Sequence, residues 1–153
     1  MKASSNIRKA TKEDSEWLLI CTECAYADYI PLLGRKPVPM TIDYEAAIDD
    51  YDIWIAEYDD KRVGLLMLQH EIDHSVIYSV AVLPDCSGLG IGKQLLVHAE
   101  KIALAKGFKQ LRLYTNERME RNLAIYQRFG YVNSHTTVFR GSIVVHLKKT
   151  LSD

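Results

Sequence analysis

The stretch Val80-Ala81-Val82-Leu83-Pro84-Asp85-Cys86-Ser87-Gly88-Leu89-Gly90-Ile91-Gly92-Lys93 decides the fold. It closes an apolar run, Val76–Leu83, that reads as a strand buried on both faces. Pro84 stops the strand. Glycines then stand at 88, 90 and 92, and Gly88–Lys106 carries Ile91, Leu95, Leu96, Ala99, Ile102 and Ala103 at helical spacing. Gly107 sits at a plausible C′ position. A strand running through a glycine loop into a helix has a chemical use. Without Cβ atoms the backbone N–H groups can converge into a cradle, and the helix start adds unpaired donors and partial positive charge, where phosphates bind.

Upstream, Asn6–Ala10 reads as a short strand, and Thr11 with Asp14 as a helix-start signal. The helix that follows places Trp17, Leu18, Cys21, Cys24 and Ala25 on one side and ends near Tyr29. Four turn formers, Pro31, Gly34, Pro37 and Pro39, make Tyr29–Met40 an irregular or kinked connection. A second helix spans Asp43–Asp50, and Ile53–Tyr58 with Arg62–Gln69 reads as a hairpin turning at Asp59-Asp60. Downstream, Gln110–Thr115 is a strand, Met119–Phe129 a short helix closed by Gly130, and Tyr131–His135 and Val138–Leu147 are β segments. The expected fold is α/β of the α+β type: a single domain over residues 1–153, with a mixed, mostly antiparallel central sheet and helices on both faces.

Composition narrows the function. The chain has 153 residues, 48% hydrophobic and 25% charged, with net charge -1. It is long enough for a core without disulfides or metal, and too close to neutral for a general grip on nucleic acid. Three cysteines, Cys21, Cys24 and Cys86, form no disulfide framework. The pair at 21 and 24 lacks the second pair or nearby histidines of a zinc site, so no metal is expected. Reduced thiols fit a cytoplasmic protein. Met1–Arg8 lacks the apolar core of a signal peptide, and no run reaches membrane-spanning length, so no membrane partner is expected.

Two phosphate motifs fit the glycine stretch poorly. A P-loop would place its first glycine at Ser87, and Gln94 replaces its magnesium-binding Ser or Thr. A dinucleotide fingerprint would need glycine at Lys93. The stretch instead resembles the GNAT superfamily of N-acetyltransferases, from the first strand to the last. That family's CoA signature begins with Gln or Arg and ends in spaced glycines. It falls on Ser87, Gly88, Leu89, Gly90, Ile91 and Gly92, with Ser87 departing from the usual residue. The resemblance implies a GNAT-like acyl-CoA N-acyltransferase fold with acetyl-CoA as co-substrate. The main chain of residues 87–92 would hold the pyrophosphate, with Lys93 able to balance its charge. The edge of Val80, Ala81 and Val82 would pair with the pantetheine arm.

Asn122 and Tyr126 lie four apart on the short helix and share a face. The segment ending in Gly130-Tyr131 resembles the family's second conserved helix, whose face looks toward CoA. This makes Tyr126 the candidate acid. A phenol near pKa ~10 can donate to a departing thiolate near ~8.5. Asn116 and Glu117 read as helix-start residues. The general base is open. Alternation places Val76, Tyr78, Val80 and Val82 on one face, and many relatives carry an acid where Tyr78 stands. Glu71, Asp73 and His74 are candidates, as is an ordered water. In the family the N-terminal helices shape the acceptor pocket, which points to Tyr29–Met40 for specificity, with Arg35 and Lys36 able to hold an acidic substrate. The expected function is acetyl transfer to a primary amine of a small molecule or peptide. The alternative is a non-catalytic CoA-binding regulatory module. The β-rich C-terminus allows a homodimer without demanding one.

Overall fold

The computed structural model describes residues 6–152. Residues 1–5, part of the stretch read against a signal peptide, lie outside the described residues. The N-terminal half holds β1 (Asn6–Lys9), α1 (Ser15–Tyr26), α2 (Tyr29–Leu33), α3 (Tyr44–Asp50), β2 (Asp52–Tyr58), β3 (Lys61–His70) and β4 (Ser75–Val82). The remainder is α4 (Ile91–Ala105), β5 (Gln110–Asn116), α5 (Glu120–Arg128), β6 (Val132–Phe139) and β7 (Ser142–Thr150). The seven strands form one sheet in the order β1-β2-β3-β4-β5-β7-β6. Every pairing is antiparallel except β4 with β5. This is the mixed sheet expected from the sequence.

β3 shows why helices cover both faces. Leu66 and Leu68 pack toward α4 with Leu95, Leu96 and Ala99. Leu65 and Met67 pack the other way, against Leu18 and Cys21 of α1 and Tyr44 and Ala47 of α3. The period-two alternation of a doubly covered strand thus becomes an unbroken apolar run. The β2–β3 and β6–β7 hairpins each turn on two residues with positive φ: Asp59 and Asp60 at 55° and 60°, and Arg140 and Gly141 at 50° and 78°. Such turns match the natural strand twist. Asp14 fixes the start of α1. Its carboxylate accepts from the Thr11 N–H at 2.9 Å and from Arg8 and Arg62 at 2.9 and 3.1 Å.

The structure corrects several boundaries. α1 stops at Tyr26, and its buried stripe is Leu18, Cys21, Thr22 and Tyr26, leaving Cys24 exposed. The Thr22 hydroxyl is satisfied by donating to the Leu18 carbonyl at 2.8 Å, so burial costs it little. The stretch from Tyr29 is not wholly irregular: α2 tolerates Pro31 because first-turn N–H groups have no intrahelical partner. Gly34 ends α2 with φ 71°. α4 begins at Ile91 rather than Gly88, since Gly88 and Gly90 have φ of 83° and 81° and cannot continue a right-handed helix. β6 runs unbroken through Thr136 and Thr137, because threonine suits a strand. β7 extends to Thr150.

Candidate active site

β4 and β5 pair only over Ser75–Ile77 with Leu111–Leu113. Beyond that point β4 continues to Val82 on β3 alone, while β5 continues to Asn116 on β7. The sheet splits, and the edge of β4 past Ile77 faces a cleft. A β-bulge sits at the split: Met67 opposes Ser79 and Leu68 opposes Ile77, so Tyr78 is the extra residue. The bulge overturns the expected alternation. Val80 and Val82 pack on the α4 side, whereas Tyr78 packs on the α1–α3 side, 5.3 Å from Tyr51 between ring centroids.

One side of the split opens into a cavity of about 650 Å³. Its walls include Val80, Ala81 and Val82 of β4, Ser87, Gly92 and Lys93 at the start of α4, and Asn122 and Tyr126 of α5. Gly88, Leu89 and Gly90 form the turn feeding this wall. Ile91 is buried in the core, so only its main chain can serve the cavity. Gly88 and Gly90 are required by their positive φ. Gly92 is not: its backbone is helical, and an added Cβ would meet only Val82 Cγ2, at an ordinary 3.8 Å. A helix-interior glycine costs about 1 kcal/mol against alanine, and no protein contact there demands it. A ligand lying on the first-turn amides would. The donors of Ile91, Gly92 and Lys93 have no intrahelical acceptors, so these residues fit a diphosphate.

On the other side lies a cavity of about 400 Å³ between β4, β5, the β6–β7 hairpin and the segment following α2. Tyr78, Tyr114 and Phe139 wall it, and His146, Arg35 and Lys36 reach it. Tyr114 and His146 are directly paired across β5 and β7. The His146 ring stacks on His135 at 4.2 Å, and its Nε2 lies 2.8 Å from Thr137 Oγ1. Burial, with His135 beside it, pushes His146 below the ordinary 6.5 and favours the neutral ring.

Tyr26, Asn122 and Tyr126 line both cavities. Tyr26 donates its hydroxyl proton to the Val80 carbonyl at 3.0 Å, and Tyr29 donates to Asn122 Oδ1 at 3.3 Å. The Tyr126 hydroxyl has no hydrogen-bond partner among the described residues. Burial, with Tyr26 as the nearest charge influence, holds its pKa well above the ordinary 10, so it stays a proton donor.

Residues 18–131 match the family model described as "Acetyltransferase (GNAT) family". The chain belongs to the GNAT acetyltransferase family. It is 29% identical over 160 residues to a mycothiol acetyltransferase of Frankia alni, covering 93% of this chain and 45% of that protein. It is 36% identical over 67 residues to the mycothiol acetyltransferase of Paenarthrobacter aurescens, covering 44% of this chain and 21% of that protein. The chain thus spans less than half the length of these relatives. Its fold matches the PaiA N-acetyltransferase of Thermoplasma acidophilum, solved in complex with coenzyme A. The TM-score is 0.81 at 20% identity, over 97% of this chain and 99% of that one.

Within this GNAT fold Val80, Ala81, Val82, Ser87, Gly92, Lys93, Asn122 and Tyr126 line the larger cavity, and Gly88, Leu89, Gly90 and Ile91 lie in the turn and helix start beside it. Glu71, Asp73 and His74 lie at the opposite end of β4, roughly 17 Å of strand from Val80, and line neither cavity. Asn116 acts at the start of α5, where its Oδ1 accepts from the Arg118 N–H at 2.9 Å, and it also borders the smaller cavity. Sequence reading missed Tyr26, His146 and the cavity-lining Arg121 and Arg128. Only the arginines carried a signal, as basic residues seven apart on the helix that holds Tyr126. Among the described residues no cluster could hold a metal ion, and no helix is long and apolar enough to cross a membrane.

Proposed function

We propose that this chain transfers an acetyl group from acetyl-CoA to a primary amine by direct attack on the thioester. The observation that carries the reading is the split between β4 and β5. It leaves the Val80–Val82 edge open beside the α4 amides, with the uncommitted Tyr126 hydroxyl between the two cavities. The larger cavity takes the CoA thioester. Amides of residues 88 to 93 and Lys93 receive the diphosphate, and the β4 edge offers main-chain groups to the extended arm.

The smaller cavity takes the amine. Among its lining residues there is no carboxylate. Tyr78, pushed up to about 12 by burial, is no base at neutral pH. His146 is therefore the general base. Thr137 engages Nε2, and Nδ1 accepts the ammonium proton. The amine lone pair then attacks the thioester carbon, the carbon–sulfur bond breaks as Tyr126 gives its proton to the leaving sulfur, and the remaining extra proton on the adduct nitrogen passes to the Tyr126 phenolate, leaving the amide and the free CoA thiol. The free thiols Cys21, Cys24 and Cys86 support a cytoplasmic setting.

Release of free CoA thiol from acetyl-CoA, measured against a panel of amines, tests the reading. Amine-dependent release is expected. CoA binding without release from any amine identifies a binding module instead.

A further inference from the structure

We infer that the acceptor is a small primary amine carrying an anionic group on an apolar or aromatic skeleton, with Arg35 and Lys36 receiving the anion. The inference rests on the amine-acetyltransferase reading above and names the substrate class of the same site.

The charge of the acceptor cavity is one-sided. Two cationic side chains, Arg35 and Lys36, line it, and no aspartate or glutamate does. Neither cation has a carboxylate partner among the described residues. A cation left unpaired beside a concave, partly desolvated site is a receptor for a negative group. The same charges repel a polyamine, which would bring a second ammonium into about 400 Å³ already holding two.

Arg35 is also held in place. One guanidinium nitrogen donates to Ser142 Oγ at 3.2 Å and the other terminal nitrogen to the Arg140 carbonyl at 3.4 Å. These bonds tie the segment after α2 to the β6–β7 hairpin. They position the guanidinium and use only part of its five donors. The Tyr78 and Tyr114 hydroxyls, without protein partners among the described residues, are further donors for an anion or polar substituent. The lining also carries Leu113, Val138, Phe139 and Val144, which suits an apolar or aromatic body.

The test is calorimetric binding to the CoA-saturated protein of amines in matched pairs. L-phenylalanine is compared with phenethylamine for a carboxylate, and 2-aminoethylphosphonate with ethylamine for a phosphonate, with spermidine as the polycation. In at least one pair the anionic member binds about tenfold tighter than its neutral twin. Arg35→Gln and Lys36→Gln remove that advantage while CoA affinity stays as in the parent. Ser142→Ala, which keeps the charge but frees the guanidinium, removes part of it and covers the case in which Arg35→Gln does not fold. Neutral twins or spermidine binding as tightly as the anionic amines would overturn the inference. So would an anion preference that survives loss of both cations. Thiol release is read separately. Anionic binding without release contradicts the transfer reading but upholds the cavity's charge preference, and fastest release with spermidine contradicts the acceptor class alone.

Discussion

The cavity assigned to the thioester presents backbone: the open edge of Val80–Val82 and the first-turn amides of α4, made accessible by glycines at 88, 90 and 92. The cavity assigned to the amine presents side chains, with Tyr78 from β4, Tyr114 from β5, Phe139 from β6, His146 from β7 and Arg35 from the segment after α2. The contrast fits the two ligands. One wall meets a molecule that never changes and can be built from groups common to every residue. The other must recognise a particular amine and can be altered by substitution without touching the first.

Substitutions at the shared wall should have the largest effect. Tyr126→Phe lowers kcat by about 100-fold, the usual scale for a lost general acid, while CoA affinity in calorimetry stays within about twofold. Full activity in that variant would remove the acid assignment. His146→Gln comes next, lowering kcat/KM by about 30-fold at neutral pH with little change in CoA affinity. In the parent, kcat/KM falls as pH drops through the His146 pKa, because only the neutral ring accepts a proton. That pKa is lowered, so the acid limb lies below 6.5. A limb above 6.5, or one that persists in His146→Gln, would assign the base elsewhere.

The backbone-built wall responds differently. Gly90→Ala forces a Cβ into the left-handed region at φ 81°, which costs about 1–2 kcal/mol. About tenfold weaker CoA binding is expected where the loop shifts to relieve the strain. Lys93→Ala removes a side chain from the same wall and should weaken CoA by no more than about threefold, as an exposed point charge contributes modestly. If the lysine deletion outweighs the glycine change, the main chain is not the principal ligand and the contrast between the two walls fails.

The same difference governs what could be read in advance. A strand stopped by Pro84 and glycines at alternate positions are local signals, so the strand, glycine turn and helix were legible, though the helix starts at Ile91 rather than Gly88. The hairpin at Asp59-Asp60 was legible in kind, whereas the turn at Arg140-Gly141 falls inside the Val138–Leu147 segment read as one strand, and the break expected before Val138 does not occur. The acceptor wall was not. Tyr114 and His146 meet only because β7 inserts between β5 and β6, a fact of sheet order that no local spacing encodes. The bulge at Tyr78 escaped for a similar reason. One extra residue changes which face every later side chain takes, yet it leaves the composition of the strand untouched. Tyr126 was found through its helix, but its isolation from other hydrogen-bonding groups emerges only from packing.

The phenol of Tyr26 braces both compartments at once. Its proton occupies one lone pair of the Val80 carbonyl, on the same strand edge that an extended guest chain would seek to zip onto, and leaves the second lone pair for that guest. The same ring is a floor tile of the neighbouring chamber. A substitution at this one position would therefore alter the edge of the first compartment and the floor of the second together.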